Sequence, residues 1–215
     1  MRAQQLEYEC TAESLRAALW YLDQALVMDP NYAPAMALAA YCYGERAHQG
    51  WTEDAAAETA EGIRLGARAV ELGRDSGSVL WMVAHATLRL AKDRERAKEL
   101  AYASLALNPN SAIAMSIAGL TEVMSGNAGK ALELLLRSQR LSPRDPRGWL
   151  TLATLALAYF ADGKFEMAAA SAEGADQQDR PQRSNLRAGR RSHLGRLAPL
   201  SIVQSGSARL GFPLH

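Results

Sequence analysis

One local pattern, repeated along the chain, restricts its fold more than anything else in the sequence. The segments ALVMDPNYAPAM (25–36), SLALNPNSAIAM (104–115) and SQRLSPRDPRGW (138–149) each run from an apolar helix end, through a polar residue and Pro, into a new apolar start. Proline cannot donate to a helix and pushes the residue before it out of helical geometry, so each copy stops one helix and allows the next to begin. Pro109 and Pro143 are 34 residues apart. A fourth copy, AVELGRDSGSVL (69–80), has Arg74 at the proline position, 35 residues before Pro109 and 44 after Pro30. The longer interval implies about ten residues inserted into the unit between. Units of one length stack in a row, each burying its apolar face against its neighbours.

Composition points to helices. Ala (41) and Leu (30) supply about a third of the 215 residues, and Ile and Val together supply only 10. Residues with little rotamer freedom to lose favour helices, whereas strands draw on β-branched residues, so mainly-β and α/β folds are disfavoured. The longest uncharged stretch, 100–121, has 22 residues but is broken by Asn108-Pro109-Asn110, so no apolar run reaches the roughly 20 that span a bilayer. No apolar run follows the charged N-terminus, and two cysteines, Cys10 and Cys42, cannot make a disulfide framework. A cytoplasmic protein is expected. Charge is unevenly placed: all 23 acids and 17 of the 24 basic residues lie at or before Asp179, and the last 36 residues hold seven arginines and no acid.

Within the unit 112–145, Met115, Ala118, Gly119, Ala131, Leu135 and Ser138 fall at positions 4, 7, 8, 20, 24 and 27, counting Ala112 as 1. These are positions where a helix–turn–helix repeat alternates bulk with near-absent side chains. Gly119, Ala84, Ala40 and Ala153 share the crossing position, where two helices approach closely only over Gly or Ala. Gly126-Asn127 supplies a turn, with Asn127 as N-cap, and Thr52 followed by Glu53 and Asp54 reads as another capped start. Period, proline placement and small-residue positions agree, which favours a true repeat over a generic helical bundle.

This pattern resembles the tetratricopeptide repeat (TPR) over residues 1–175. The resemblance implies an all-α fold: a right-handed α-solenoid of antiparallel helix pairs, about four repeats with the first incomplete, then a basic, disordered tail over 176–215. Helices are expected near 13–28, 33–47, 52–72, 77–91, 94–107, 111–125, 128–141, 147–161 and 164–175. Two departures stand out: the extra stretch around Gly50-Trp51 before a lengthened acidic helix, and the late turn in ALAYFADGKFEMAA, with Gly163 about three residues beyond its expected place. Together they are similar to the C-terminal repeat regions of bacterial class III adenylate/guanylate cyclase-type proteins and of some winged-helix regulators. No segment matches a cyclase catalytic domain.

The ends carry expectations of their own. With only a stub of a first helix before it, the helix 12–28 should expose Leu15, Ala18, Leu19, Leu22 and Leu26, and such an end could self-associate. After Ala175 the apolar face dissolves, acids vanish and Arg rises. This fits a frame truncated upstream and shifted downstream, or equally a natural basic tail.

No catalytic pattern is present. Gly163-Lys164 is followed by Phe165 and fails as a phosphate loop, H-E-x-x-H is absent, and His48, His85, His193 and His215 lie far apart, so neither metal nor cofactor is expected. Glu133 and Glu166 read as solvated faces, and the cysteines as packed thiols.

In repeats that the sequence resembles, positions 2, 5, 9, 12 and 13 of each first helix line a peptide-binding groove. Carried over, they are Tyr41 and Glu45; Trp81, His85 and Arg89; Ser116, Leu120 and Val123; and Arg147, Leu150 and Thr154. Trp81 beside Arg89 is the leading contact point, being of the types that carry interface energy, although Trp81 could equally pack between units. Position 9 holds Tyr41, His85, Leu120 and Thr154, with no Asn or Lys nearby. A carboxylate clamp is therefore not expected, and an apolar groove for a helical or extended partner segment is. The resulting expectation is a non-catalytic protein-interaction scaffold in a cyclase-like signalling protein. The alternative is nucleic-acid or anionic-surface binding through Arg180, Arg183, Arg187, Arg190, Arg191 and Arg196, with strong salt dependence but no base stacking before Phe212.

Overall fold

The computed structural model describes residues 2–187, with side chains through 178. Ten α-helices follow one another: α1 (Arg2–Glu9), α2 (Ala12–Met28), α3 (Ala33–Gln49), α4 (Ala55–Leu72), α5 (Gly77–Ala86), α6 (Arg94–Leu107), α7 (Ala112–Met124), α8 (Ala128–Leu141), α9 (Gly148–Ala161) and α10 (Phe165–Arg187). Among the described residues there is no strand. Each odd helix pairs with the even helix that follows it, and α3, α5, α7 and α9 pack in succession. The architecture is the expected α-solenoid of helix pairs.

The repeat shows itself in the backbone. Between units, Asp29, Asn108 and Ser142 each leave helical geometry, with φ of −135°, −141° and −139°, and each donates its N–H to the carbonyl four residues back. Each is followed by proline, whose ring excludes helical geometry in the residue before it. Gly73 makes the same turn before Arg74, its N–H bonded to the Ala69 carbonyl. Within units, the turn from first to second helix holds one left-handed residue: Cys10, Gly50, Lys92, Gly126 or Gly163. Five left-handed turns alternate with these four non-helical junctions, so the described residues form five helix pairs.

Three expectations need correction here. First, residues 2–9 form a helix, and a capping box at Thr11 and Ser14 then starts α2. The face expected to lie open is covered: Leu15, Ala18 and Leu22 are buried, and Leu19 and Leu26 are half-buried. The exposed apolar residues of α2 are Trp20, Val27 and Met28 on its other side. Second, the cap of α4 is Asp54, whose carboxylate accepts from Ala57 N–H, rather than Thr52. Asn127 stands at the N-cap of α8 but its amide donates to Glu122 instead of capping. Third, the helix expected over 77–91 runs that length, but its last turn, Thr87–Ala91, is π-helical rather than α-helical. α10 runs to Arg187, well past 175. The tail expected to be disordered lies, from 188 onward, outside the described residues.

The small-residue rule holds at three crossings. Ala40 and Ala84 are fully buried. A methyl group on Gly119 would lie 2.7 Å from Leu135 Cγ. Ala153 is only half-buried, and the buried residues of α9 include Thr154, Leu155 and Ala158. Position 27 has its own device: Ser104 and Ser138 donate hydroxyls to the Gly77 and Ala112 carbonyls, at 2.7 and 2.8 Å, pinning each second helix to the start of its first.

Candidate functional site on the first-helix face

Most residues expected to line an open groove are buried. Tyr41, Glu45, Trp81 and His85 are 3, 1, 6 and 0% exposed. Ser116, Leu120, Val123, Leu150 and Thr154 are buried as well, whereas Arg89 and Arg147 are half-buried. The expected groove is therefore filled, by two different kinds of contact.

Towards the C-terminal units the filling is ordinary packing. Ser116 Oγ lies 2.8 Å from Ser138 Oγ and 2.7 Å from Thr151 Oγ1, a buried hydroxyl cluster joining α7, α8 and α9. Thr154 donates to the Leu150 carbonyl, and Leu120, Val123 and Leu150 sit in apolar clusters. These five hold helices together.

Towards the N-terminal units the filling is polar and converges from four first helices. The Tyr41 ring packs edge-on to Trp81 at 5.6 Å and lies 4.7 Å from the His85 ring. His85 Nε2 is 3.0 Å from Glu45 Oε1. Arg89, delivered by the π turn, directs Nε toward His85 Nε2 at 3.4 Å and Nη1 toward His48 Nδ1 at 3.3 Å. Arg147, at the start of α9, spans the solenoid: its guanidinium lies 5.1 Å from the Trp81 ring centre on α5 and 4.9 Å from the Tyr8 ring centre on α1. Its Nη1 is 3.7 Å from Glu7 Oε1, also on α1. Cys10 Sγ, just beyond α1, is 3.9 Å from Glu45 Oε2.

The electrostatics follow from burial and neighbours. Burial pushes the Glu7 carboxyl from 4.5 up to about 7; Arg147 opposes this and Glu45 adds to it. Burial also pushes Glu45 upward, but His85, Arg89 and His48 outweigh it and bring that carboxyl down to about 2. His85 is lowered from 6.5 by burial, against the pull of Glu45 and with the help of the Arg89 and Arg147 charges. Several buried nitrogens have no hydrogen-bond partner: His85 Nδ1, Arg147 Nε and Trp149 Nε1. Polar matching on this face is incomplete, which is costly where water is excluded.

Sequence reasoning missed Glu7, Tyr8 and Cys10, because residues 2–9 were read as a stub. A signal existed: Ala3, Leu6 and Cys10 are spaced as one helical face, and Ala3 and Leu6 pack on the core. Two paired carboxylates elsewhere, one buried and one half-buried, were also missed. Glu122, fully buried, accepts from Tyr102 Oη at 2.7 Å, Asn127 Nδ2 at 2.7 Å and Lys98 Nζ at 3.1 Å. Glu58 forms a two-pronged pair with Arg46 at 2.8 and 2.9 Å, which clips the inserted Gly50-Trp51 stretch between α3 and α4. Among the described residues no group of three or more His, Cys, Asp or Glu is placed to hold a metal ion. No helix of the described residues is long and apolar enough to cross a membrane.

Five stacked helix pairs, with small residues at their crossings and a first-helix face gathering aromatic and charged side chains, define the fold of tetratricopeptide-repeat proteins. Solved structures agree. A thermophilic TPR protein of Thermus thermophilus, TTC0263, matches with a TM-score of 0.61 at 19% identity, over 82% of this chain and 88% of that one. MamA matches with a TM-score of 0.50 at 17% identity, over 80% of this chain and 92% of that one. At such identities the likeness is one of fold. No protein-family model matches the sequence, and no curated protein does.

Proposed function

We propose that this chain is a non-catalytic protein-interaction scaffold whose partner segment is held on the face lined by the first helices. The observation that carries this reading is the convergence of Tyr41, Trp81, His85, Arg89 and Arg147 from α3, α5, the π turn and α9 on one place. Arg89 and Arg147 are the half-buried members that reach solvent, with the aromatic rings packed beneath them, and Arg and aromatic side chains are the types that dominate binding energy. The five positions of the C-terminal units, Ser116, Leu120, Val123, Leu150 and Thr154, hold helices together instead. The test is capture of a stoichiometric partner from the native source by the intact chain and by Arg89→Ala and Arg147→Ala, with melting curves as a check on folding. Each variant should weaken capture by about 1–3 kcal/mol. Equal capture by all three chains, each folded, refutes the site.

The finer setting, the repeat region of a bacterial cyclase-like signalling protein, rests on Gly50-Trp51 before the acidic α4 and on the late turn at Gly163. Sequencing the DNA on both sides of the frame tests it. A cyclase or DNA-binding domain running in from upstream supports it, and clean intergenic sequence refutes it. Nucleic-acid binding rests on the charge split at Asp179 alone; a gel shift comparing the whole chain with residues 1–179 separates it from the scaffold reading.

A further inference from the structure

We infer that the outer face of α2 is a dimerisation surface, on which a second copy of this chain docks antiparallel with its Val27 against Trp20. The inference is independent of the scaffold reading, because it concerns a second helix and uses none of the residues of the first-helix face.

Three observations carry it. The first comes from the repeat itself. Asp29, Gly73, Asn108 and Ser142 end four second helices in the same way, so positions counted back from them are equivalent. Nine and two residues before that junction, α4 carries Arg64 and Glu71, α6 carries Glu99 and Ala106, and α8 carries Glu133 and Arg140. All six are exposed, and Arg64, Glu71 and Glu99 stand in exposed ion pairs within their own helices. At the same two places α2 carries Trp20 and Val27, 59 and 72% exposed, with Met28 beside them at 87%. The fold does not require apolar residues there, since three sister helices do without them. A Trp, a Val and a Met left open together mark an interaction surface.

The second observation is area. Trp20, Val27 and Met28 alone leave roughly 400 Å² open to solvent. With the exposed Arg16, Asp23 and Gln24 around them, the face reaches the roughly 600 Å² per partner at which specific pairs begin. A face of that size suits a concentration-dependent dimer.

The third is self-complementarity. Trp20, Gln24 and Val27 are spaced as one helical face, with Arg16 one turn before them and Asp23 between. A twofold axis passing between residues 23 and 24 sets Trp20 against Val27 of the second copy, and each such contact occurs twice. The same axis brings Gln24, an amide donor, beside the Asp23 carboxylate of the second copy, and Arg16 within a turn of its Asp29. A parallel arrangement sets Arg16 against Arg16 and Asp23 against Asp23, so the charges select the antiparallel one. Arg16 also meets Glu53 at 2.8 Å, but both side chains are exposed and such a pair contributes little.

The test is sedimentation of the full chain from about 1 to 100 μM, for wild type, Trp20→Arg and Val27→Glu, each alone and the two variants mixed. Both substitutions install what α4 carries at the equivalent places, Arg64 and Glu71, and melting curves check that each chain is folded. Wild type should pass from monomer to dimer within this range. Each variant alone should dissociate at least about tenfold more readily. The equimolar mixture should regain a dimer that neither variant forms alone. In it the new Arg of one chain meets the new Glu of the other at one contact, and Trp20 still meets Val27 at the second. A wild-type chain that stays monomeric throughout overturns the inference. Dimers as stable in both variants as in wild type overturn it too, by moving the contact to another face such as that of the exposed Phe160 and Phe165. Weakened variants that do not recover on mixing overturn the antiparallel pairing.

Discussion

Replacing Glu7 with Gln should flatten one part of the pH dependence of this protein's stability. The Glu7 carboxyl lies at about 7 in the folded chain against 4.5 ordinarily, because burial, with Glu45 and Asp145 adding to it, outweighs the Arg147 charge and the Tyr41 hydrogen bond. An acid raised on folding binds its proton more tightly in the native state, so its contribution to stability is full below pH 4.5 and is lost as pH rises through 7. At about 1.4 kcal/mol per pH unit, that loss is about 2.5 kcal/mol between pH 5 and pH 8. His85 acts in the opposite sense: lowered from 6.5, it contributes stability that is lost as pH falls below that value. His85 is present in both chains, so the difference between wild type and Glu7→Gln isolates Glu7. Urea unfolding of both at pH 5, 6, 7 and 8, with amide exchange of α1 at the same pH values, is the assay. Relative to Glu7→Gln, wild type should lose about 2.5 kcal/mol across this range, in the unfolding midpoint or, if α1 releases first, in α1 exchange. A difference that stays constant within about 0.5 kcal/mol by both measures would show that Glu7 titrates as a solvated carboxyl, and the account of a costly buried acid would be wrong.

Three further outcomes are expected. Gly119→Ala should cost about 1–3 kcal/mol in chemical denaturation, since the new methyl meets Leu135 Cγ at 2.7 Å and Leu135 is fully buried; a neutral result would mean that the α7–α8 crossing can widen. Lys92→Gly should stabilise by up to about 1 kcal/mol, because Lys92 is exposed and holds φ +56° in a turn where three other units place glycine; destabilisation would show that its side chain contributes there. Glu122→Gln should cost about 2–3 kcal/mol by leaving Lys98 without its anion and weakening the Tyr102 contact, and a smaller loss would show that the network is solvated.

Much of this architecture is written in local chemistry. A proline after Asp29, Asn108 and Ser142 forces a non-helical residue at three junctions, and the glycines at 50, 126 and 163 make left-handed turns cheap at three others. These constraints act within a few residues, so they can be read without knowing what packs where. The same is true of Gly119 and the buried alanines, whose size alone permits close crossing. Two turns carried no such mark: Cys10 and Lys92 adopt the left-handed region without being glycine. Residues 2–9 escaped notice for that reason, and because eight residues are too few for periodicity to speak clearly.

The functional face divides along the same line. Read through its resemblance to the repeat, the sequence implied that first helices would line one face and that Tyr41, Trp81, His85, Arg89 and Arg147 would come to it. Only the tertiary structure decided that this face is closed. Residues 7 and 147 meet because the solenoid curves enough to bring its first and fifth units together. That curvature is the sum of small rotations at every crossing, set by packing between helices and visible in no single segment. The burial of Glu7, and with it the state of its proton, follows from that meeting and from nothing local to the residue.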